Sequence, residues 1–232
     1  MPVAAHILIR VNLRRVRVNP RHTCKGGIAI IEGIHWLGHA SFRIDGEKTV
    51  YIDPYKVTQG PPADIILVSH SHYDHCSLIS IERLSKPGTV LVTNAECARK
   101  LPGDVRVIAP GGSVSLEGVV IEGVAAYNTG KPFHPKAEGG LGFVVSMGKR
   151  RIYFAGDTDL IPEMAMVKAD VALLPVSGTY VMTAEEAAEA ARRIKPAVAV
   201  PMHYGSIVGS LSDAARFRDL ADVRVEILPR EE

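Results

Sequence analysis

Six consecutive positions, His70-Ser71-His72-Tyr73-Asp74-His75, hold three of the chain's nine histidines and an aspartate. Neutral imidazole nitrogens and a carboxylate are the donors that zinc and similar divalent ions accept, and this spacing gives four of them within one short loop. The alternative is a run of solvated or core histidines, which explains a lone His well and four ligand-type residues at this spacing poorly.

The element that must position them lies immediately upstream. Asp64-Ile65-Ile66-Leu67-Val68 is an apolar run rich in β-branched residues that gives way abruptly to polar ones. It reads as a buried strand delivering its loop to the carboxyl edge of a sheet, where α/β proteins place their chemistry. His70 and His72 project to one side while the chain stays extended, and Asp74 and His75 follow as it turns toward a helix.

The loop resembles the H-x-H-x-D-H signature of the metallo-β-lactamase superfamily. Further stretches match that family in chain order: Tyr51-Ile52-Asp53-Pro54, Ala155-Gly156-Asp157-Thr158 and Pro201-Met202-His203-Tyr204-Gly205. His134, in Lys131-Pro132-Phe133-His134-Pro135, is the best match for the remaining histidine. Together with Trp36-Leu37-Gly38-His39, these stretches are most similar to the small metal-dependent hydrolases related to ascorbate-phosphate lactonase and N-acylphosphatidylethanolamine phospholipase D. The resemblance runs from about Ile31 to Leu228.

The resemblance implies a four-layer αββα sandwich, an α/β fold of the α+β type, in which two mixed sheets carry helices on both outer faces. It implies two divalent ions, zinc first and Mn2+ or Fe2+ as alternatives. His70, His72 and His134 would hold one ion, and Asp74, His75 and His203 the other, with Asp157 between them. Asp74 and Asp157 are accordingly the expected catalytic carboxylates, supporting a hydroxide shared by the two ions. His39 is expected behind the ligands. Asp53 is expected to accept the second ring N–H of a ligand histidine, with a turn aspartate before Pro54 as its other reading. Tyr180, Tyr204, Lys131 and Lys136 are candidates for orienting an anionic substrate.

Composition sets wider bounds. The chain's 232 residues, 47% apolar and 22% charged with a net charge of +2, suit one large soluble domain that makes no strong claim on nucleic acid or membranes. No apolar stretch is long enough to predict a spanning helix, and the N-terminus lacks a secretory pattern. Three cysteines, Cys24, Cys76 and Cys97, at unrelated spacings argue against a disulfide framework and for a reducing, cytoplasmic setting. Cys76 reads as a small buried hydrophobe beside the site. Residues 1 to 27 form a basic extension, with Arg10, Arg14, Arg15, Arg17, Arg21 and Lys25 all preceding the first acidic residue, Glu32. It reads as a variable arm or a short added strand around Ile7 to Val18, ahead of a hydrolase domain over 28 to 232.

Strands are expected over Ile28 to Leu37, Phe42 to Ile44 and Lys48 to Ile52, with a tight Asp45-Gly46 turn between the last two. A helix is expected over Ser77 to Leu84, and a capping box at Thr183-Ala184-Glu185-Glu186 should open another running to Ile194. Ser212 is expected to cap a final helix to Leu220. The loop Asn128 to Gly140 is the expected source of His134 and of substrate contacts.

The function expected is hydrolysis of a small phosphorylated or lactone or ester metabolite. A nuclease or phospholipid phosphodiesterase and a non-catalytic metal-binding relative are the alternatives, and a homo-oligomer is left open.

Overall fold

The structure, a computed structural model, describes residues 30–231. The basic extension 1 to 27, the strand suggested around Ile7 to Val18, and Cys24 lie outside the described residues.

Thirteen strands form two sheets among the described residues. The first has the order β1 (Ile34–Gly38), β2 (Ser41–Ile44), β3 (Val50–Ile52), β4 (Ile65–Val68), β5 (Val90–Thr93) and β6 (Asp104–Val107). The second runs β13 (Arg224–Val225), β12 (Val198–Met202), β11 (Val171–Pro175), β10 (Arg150–Phe154), β9 (Leu141–Met147), β8 (Val119–Ala125) and β7 (Ser113–Leu116). Both sheets are mixed. β1, β2 and β3 pair antiparallel and β3 to β6 parallel. In the second sheet β7 to β10 are antiparallel and β10 to β13 parallel.

Period-two alternation explains the layering. In β4, Ile65 and Leu67 enter the core between the sheets, whereas Ile66 and Val68 face a second apolar cluster with Ile81 and Leu84 of helix α1 (Leu78–Leu84). β3 divides the same way, with Val50 and Ile52 inward and Tyr51 outward. The apolar run of β4 is therefore continuous because both of its faces are covered. The short α2 (Ala95–Ala98) adds Cys97 to that second cluster, on the first sheet; on the other sheet, helix α3 (Ala184–Ile194) lays Ala187, Ala190, Ala191 and Ile194 into the core, and α4 (Leu211–Leu220) packs alongside it. The result is the four-layer αββα sandwich of two mixed sheets with helices on both outer faces.

Several boundaries differ from the sequence expectation. The first strand starts at Ile34, because Ile30 and Ile31 form a helical turn closed at Gly33, whose carbonyl accepts from Asp45 N at 2.7 Å. Asp45-Gly46 is part of a longer connection between Ile44 and Val50, and neither residue has positive φ. The final helix is capped at Ser210, two residues before Ser212: Ser210 N donates to Asp213 Oδ2 at 2.7 Å. The capping box of α3 is present, with Glu186 N donating to Thr183 Oγ1 and Thr183 N to Glu186 Oε2.

Candidate metal centre

Strands β3, β4, β10 and β12 end at one edge of the sandwich, and the expected site residues follow them. After Val68 the chain continues through His70 and His72, then folds back as His75 N and Cys76 N both donate to His72 O, at 3.0 and 2.8 Å. Asp53 follows β3, Asp157 follows β10, and His203 follows β12. His134 comes from the loop between β8 and β9, and His39 from the turn between β1 and β2.

Two groups of donor atoms converge. His72 Nδ1 lies 3.0 Å from His70 Nε2 and 3.1 Å from His134 Nε2. His39 Nε2 lies 2.9 Å from Asp74 Oδ2, and His75 Nε2 lies 3.6 Å from the same oxygen. Asp157 Oδ2 reaches both groups, at 3.1 Å from His203 Nε2, 3.4 Å from His75 Nε2 and 3.5 Å from His134 Nε2. One donor atom each from His39, Asp74, His75 and His203 lies within 4.8 Å of the others, and the same holds for His70, His72 and His134. His39, expected behind the ligands, donates through Nε2 to Asp74 Oδ2 and lies within reach of the same group.

These residues fit metal ions on their own chemistry. His75 Nε2 and Asp157 Oδ1 are buried with no hydrogen-bond partner. Such groups normally find one, and a cation between them would satisfy both. A third grouping, Asp53 with His70 and His75, is already saturated. Asp53 accepts from Ser69 N at 2.7 Å and Ser69 Oγ at 2.5 Å, and its Oδ2 lies 2.7 Å from His75 Nδ1. With Nδ1 turned to that carboxylate, Nε2 of His75 is the nitrogen left for the site. Asp53→Asn is expected to weaken metal binding about ten- to a hundredfold, the usual cost of losing a ligand's orienting partner. Competition against a chromogenic chelator measures it, and unchanged affinity would leave Asp53 a turn residue.

Backbone strain collects at the same place. Of the seven non-glycine residues with positive φ among those described, four are His39, Asp53, His134 and His203. The left-handed region costs an L-residue of order 1 kcal/mol or more and tends to persist where surrounding structure imposes it, as at functional sites. Gly156, at φ +70, precedes Asp157 where a Cβ would stand 2.6 Å from Leu141 O, so only glycine turns the chain there.

Electrostatics divides the cluster. Burial drives His70 well below the usual imidazole range, with His75 adding to the effect, and burial also lowers His134. Burial acts in the same direction on His75, but the Asp157 and Asp53 carboxylates outweigh it and hold the ring well above that range. Burial would raise Asp157, yet His203 and His75 keep its carboxyl well below the ordinary value.

Of the four residues expected to orient a substrate, Tyr180 borders the cluster and the other three stand elsewhere. Lys131 pairs with Asp159, and Lys136 pairs with Glu163 at 2.9 Å while lying over the Tyr127 ring, so both cations are already matched. Tyr204 stacks on Trp36 at 4.7 Å between centroids, buried, with burial pushing its phenol up to about 12. Tyr180 reaches the site with its carbonyl, which accepts from Asn128 Nδ2 at 2.7 Å and lies 3.3 Å from His134 Nδ1, while its ring packs edge-to-face on Phe133. Cys76 is half-buried, and it and Cys97 are free thiols.

Sequence reasoning missed Asn128 and Ser177. The Asn128 amide donates to Phe133 O at 2.9 Å as well as to Tyr180 O, tying down the loop that carries His134. Ser177 Oγ sits 3.1 Å from His203 Nδ1. Asn128 opens the loop after a strand and so carried a positional signal; Ser177 meets His203 only through tertiary packing.

Two face-to-face sheets with histidines and aspartates gathered from separate loops at one edge make a metal-binding fold, and the relatives of this chain place it in the class of metal-dependent hydrolases. The chain belongs to the metallo-β-lactamase superfamily: the profile of the beta-lactamase superfamily domain matches residues 33–203. A UPF0173 metal-dependent hydrolase of Thermoplasma acidophilum is 37% identical over 205 residues, covering 81% of this chain and 90% of the relative. A crystal structure from Parabacteroides distasonis, described as that of a metal-dependent hydrolase, is 33% identical with TM-score 0.75, covering 84% of this chain and 93% of that one. A Thermotoga maritima structure, described as a zinc-dependent hydrolase of the metallo-β-lactamase superfamily, is 29% identical with TM-score 0.57, covering 82% and 85%.

Proposed function

We propose that the chain is a dinuclear metal-dependent hydrolase acting on a small ester, lactone or phosphorylated metabolite. His70, His72 and His134 would hold one ion, and Asp74, His75 and His203 the other, with His39 beside Asp74. The observation that carries this reading is Asp157, whose Oδ2 lies within 3.5 Å of histidines from both groups while its Oδ1 has no partner. When bound, a pair of divalent cations supplies an activated water and polarises the scissile carbonyl or phosphoryl group. Zinc is the first choice because imidazole and carboxylate donors suit it, and the Thermotoga maritima neighbour's description specifies zinc.

The chain's own residues do the rest. Asp53 holds the His75 ring, the Tyr180 carbonyl and Asn128 hold His134, and Ser177 meets the outer nitrogen of His203. Asp74 and Asp157, ionised at neutral pH, are the carboxylates placed to hold or accept a proton during turnover. Two free thiols among the described residues suit a reducing cytoplasm, and no helix there is long and apolar enough to cross a membrane.

Chelator-stripped protein titrated with zinc or manganese is expected to gain turnover on at least one of phosphodiesters, phosphate esters and carboxylic esters or lactones. Failure of every metal on every class would remove the enzymatic reading.

Metal uptake should also release a proton. In the metal-free protein His75 is held protonated by two carboxylates, and its Nε2 must become bare before it can ligate. His70 and His134, pushed down by burial, need no such change at pH 7. The His75 half should therefore lose affinity by about tenfold per unit as pH falls, while the His70 half stays loaded to lower pH. Calorimetry in buffers of different ionisation enthalpy is expected to report net proton release on filling the His75 half near neutral pH. Zero release would contradict the assignment of that nitrogen.

A further inference from the structure

We propose that the substrate of this site is a carboxylic ester or lactone with an apolar body, gripped by Tyr73, Phe133, Tyr180 and Ile207. The inference rests on the hydrolase reading above and narrows it.

A cavity of about 240 Å³ opens over the cluster, with His72, Asp74, His134, Asp157 and His203 as its floor. Its walls are Tyr73, Phe133, Tyr180 and Ile207. Tyr73 is 67% exposed, Phe133 45% and Ile207 37%, so three large side chains of apolar character stand in water around one opening. Grouped exposure of this kind marks a binding surface, whereas scattered exposure does not. The walls are partly fixed already: Phe133 meets the Tyr180 ring edge-to-face at 4.8 Å, and Tyr73 meets Tyr55 at 5.9 Å.

Charge points the same way. Among the described residues, no lysine or arginine lines this cavity. Lys131 and Lys136 are matched by Asp159 and Glu163, and Lys56 and Arg230 line a different cavity beside Trp36 and Tyr204. A phosphorylated sugar or nucleotide would have to press its charged and hydroxylated body against walls that offer little to replace its water. An acyl chain or aromatic ring would gain by leaving water there.

The step balances with water alone. Water's oxygen bonds to the acyl carbon, the acyl C–O bond breaks, and a proton from water passes to the leaving alkoxide. The products are an alcohol and a carboxylic acid, which ionises at neutral pH; from a lactone both groups stay in one hydroxy acid.

Full-length protein loaded with zinc or manganese is to be assayed on 4-nitrophenyl esters from acetate to octanoate, alkyl-substituted lactones, 4-nitrophenyl phosphate and bis(4-nitrophenyl) phosphate. The expected result is kcat/KM rising with acyl length up to the cavity's reach, by up to about fourfold per buried methylene, and exceeding that of either phosphate. Calorimetry with the carboxylate products should show affinity rising by up to about fourfold per buried methylene. Phe133→Ala should flatten both trends, while Met166→Ala, 75% exposed outside this cavity, should follow the parent. Turnover without chain-length dependence, or a preference for either phosphate, overturns the apolar-body inference and leaves the hydrolase standing. No turnover on any of the four classes with either zinc or manganese overturns both.

Discussion

Asp157→Asn is expected to lower kcat/KM at least about a hundredfold and to weaken the binding of both metal ions, in a protein that still folds. Asparagine has nearly the shape of aspartate, so Phe154, Ala155 and Gly156 can keep their places. What disappears is a charge. Burial alone would favour the protonated acid at this position, but His203 and His75 hold the group ionised, and Oδ2 is close to His75, His134 and His203 at once. Asp53 also stands near His70 and His75, but it is occupied by Ser69 and by Nδ1 of His75, whereas Asp157 faces the Nε2 atoms of both groups. A neutral amide would weaken both halves together, whereas loss of an outer ligand such as His72 should weaken chiefly its own half. Metal analysis after dialysis, alongside kinetics on the best substrate, distinguishes these outcomes. Full retention of both ions by Asp157→Asn would contradict a shared role.

Removing the metals should be the largest single perturbation of stability. An ion that binds only the folded state at a hundred times its dissociation constant adds about 2.7 kcal/mol, and two such sites add roughly twice that. For a chain of this size each kcal/mol is worth about 2–4 °C, so stripping both ions should lower Tm by about 10–20 °C. The cause lies in the crowding at the site: His72 Nδ1 stands 3.0 Å from His70 Nε2 and 3.1 Å from His134 Nε2, and a buried His75 nitrogen and Asp157 oxygen have no partner. Thermal unfolding with and without chelator reads this directly, and re-addition of zinc should restore the loss. The same scan on Asp157→Asn should show a much smaller response. A chelator-insensitive Tm in the parent protein would mean that the cluster holds no tightly bound ion.

What the sequence made legible is local. Asp64 to Val68 announces a strand buried on both faces, and the loop after it carries its donors within six residues, so neither depends on distant partners. Thr183 to Glu186 declares a helix start through two reciprocal hydrogen bonds within one turn. The N-cap of the final helix at Ser210 was missed because its partner is Asp213, where Glu or Gln is the stronger signal. The place of His39 depends on positive φ at both Gly38 and His39, a backbone state that neither composition nor periodicity reveals. Lys131 and Lys136 looked available because nothing in a linear reading shows that Asp159 and Glu163 will fold against them. The chain's end is a similar case. Glu231 N donates to Trp36 O at 2.9 Å, closing a contact across nearly the whole chain, and no local pattern predicts it.

The most direct test is anomalous scattering from crystals of the zinc-loaded protein, with data on both sides of the zinc edge. Two peaks per chain are expected, one enclosed by His70, His72 and His134 and the other by Asp74, His75 and His203, with the Asp157 carboxylate between them. A single peak, or zinc bound away from Asp157, would contradict a two-ion site.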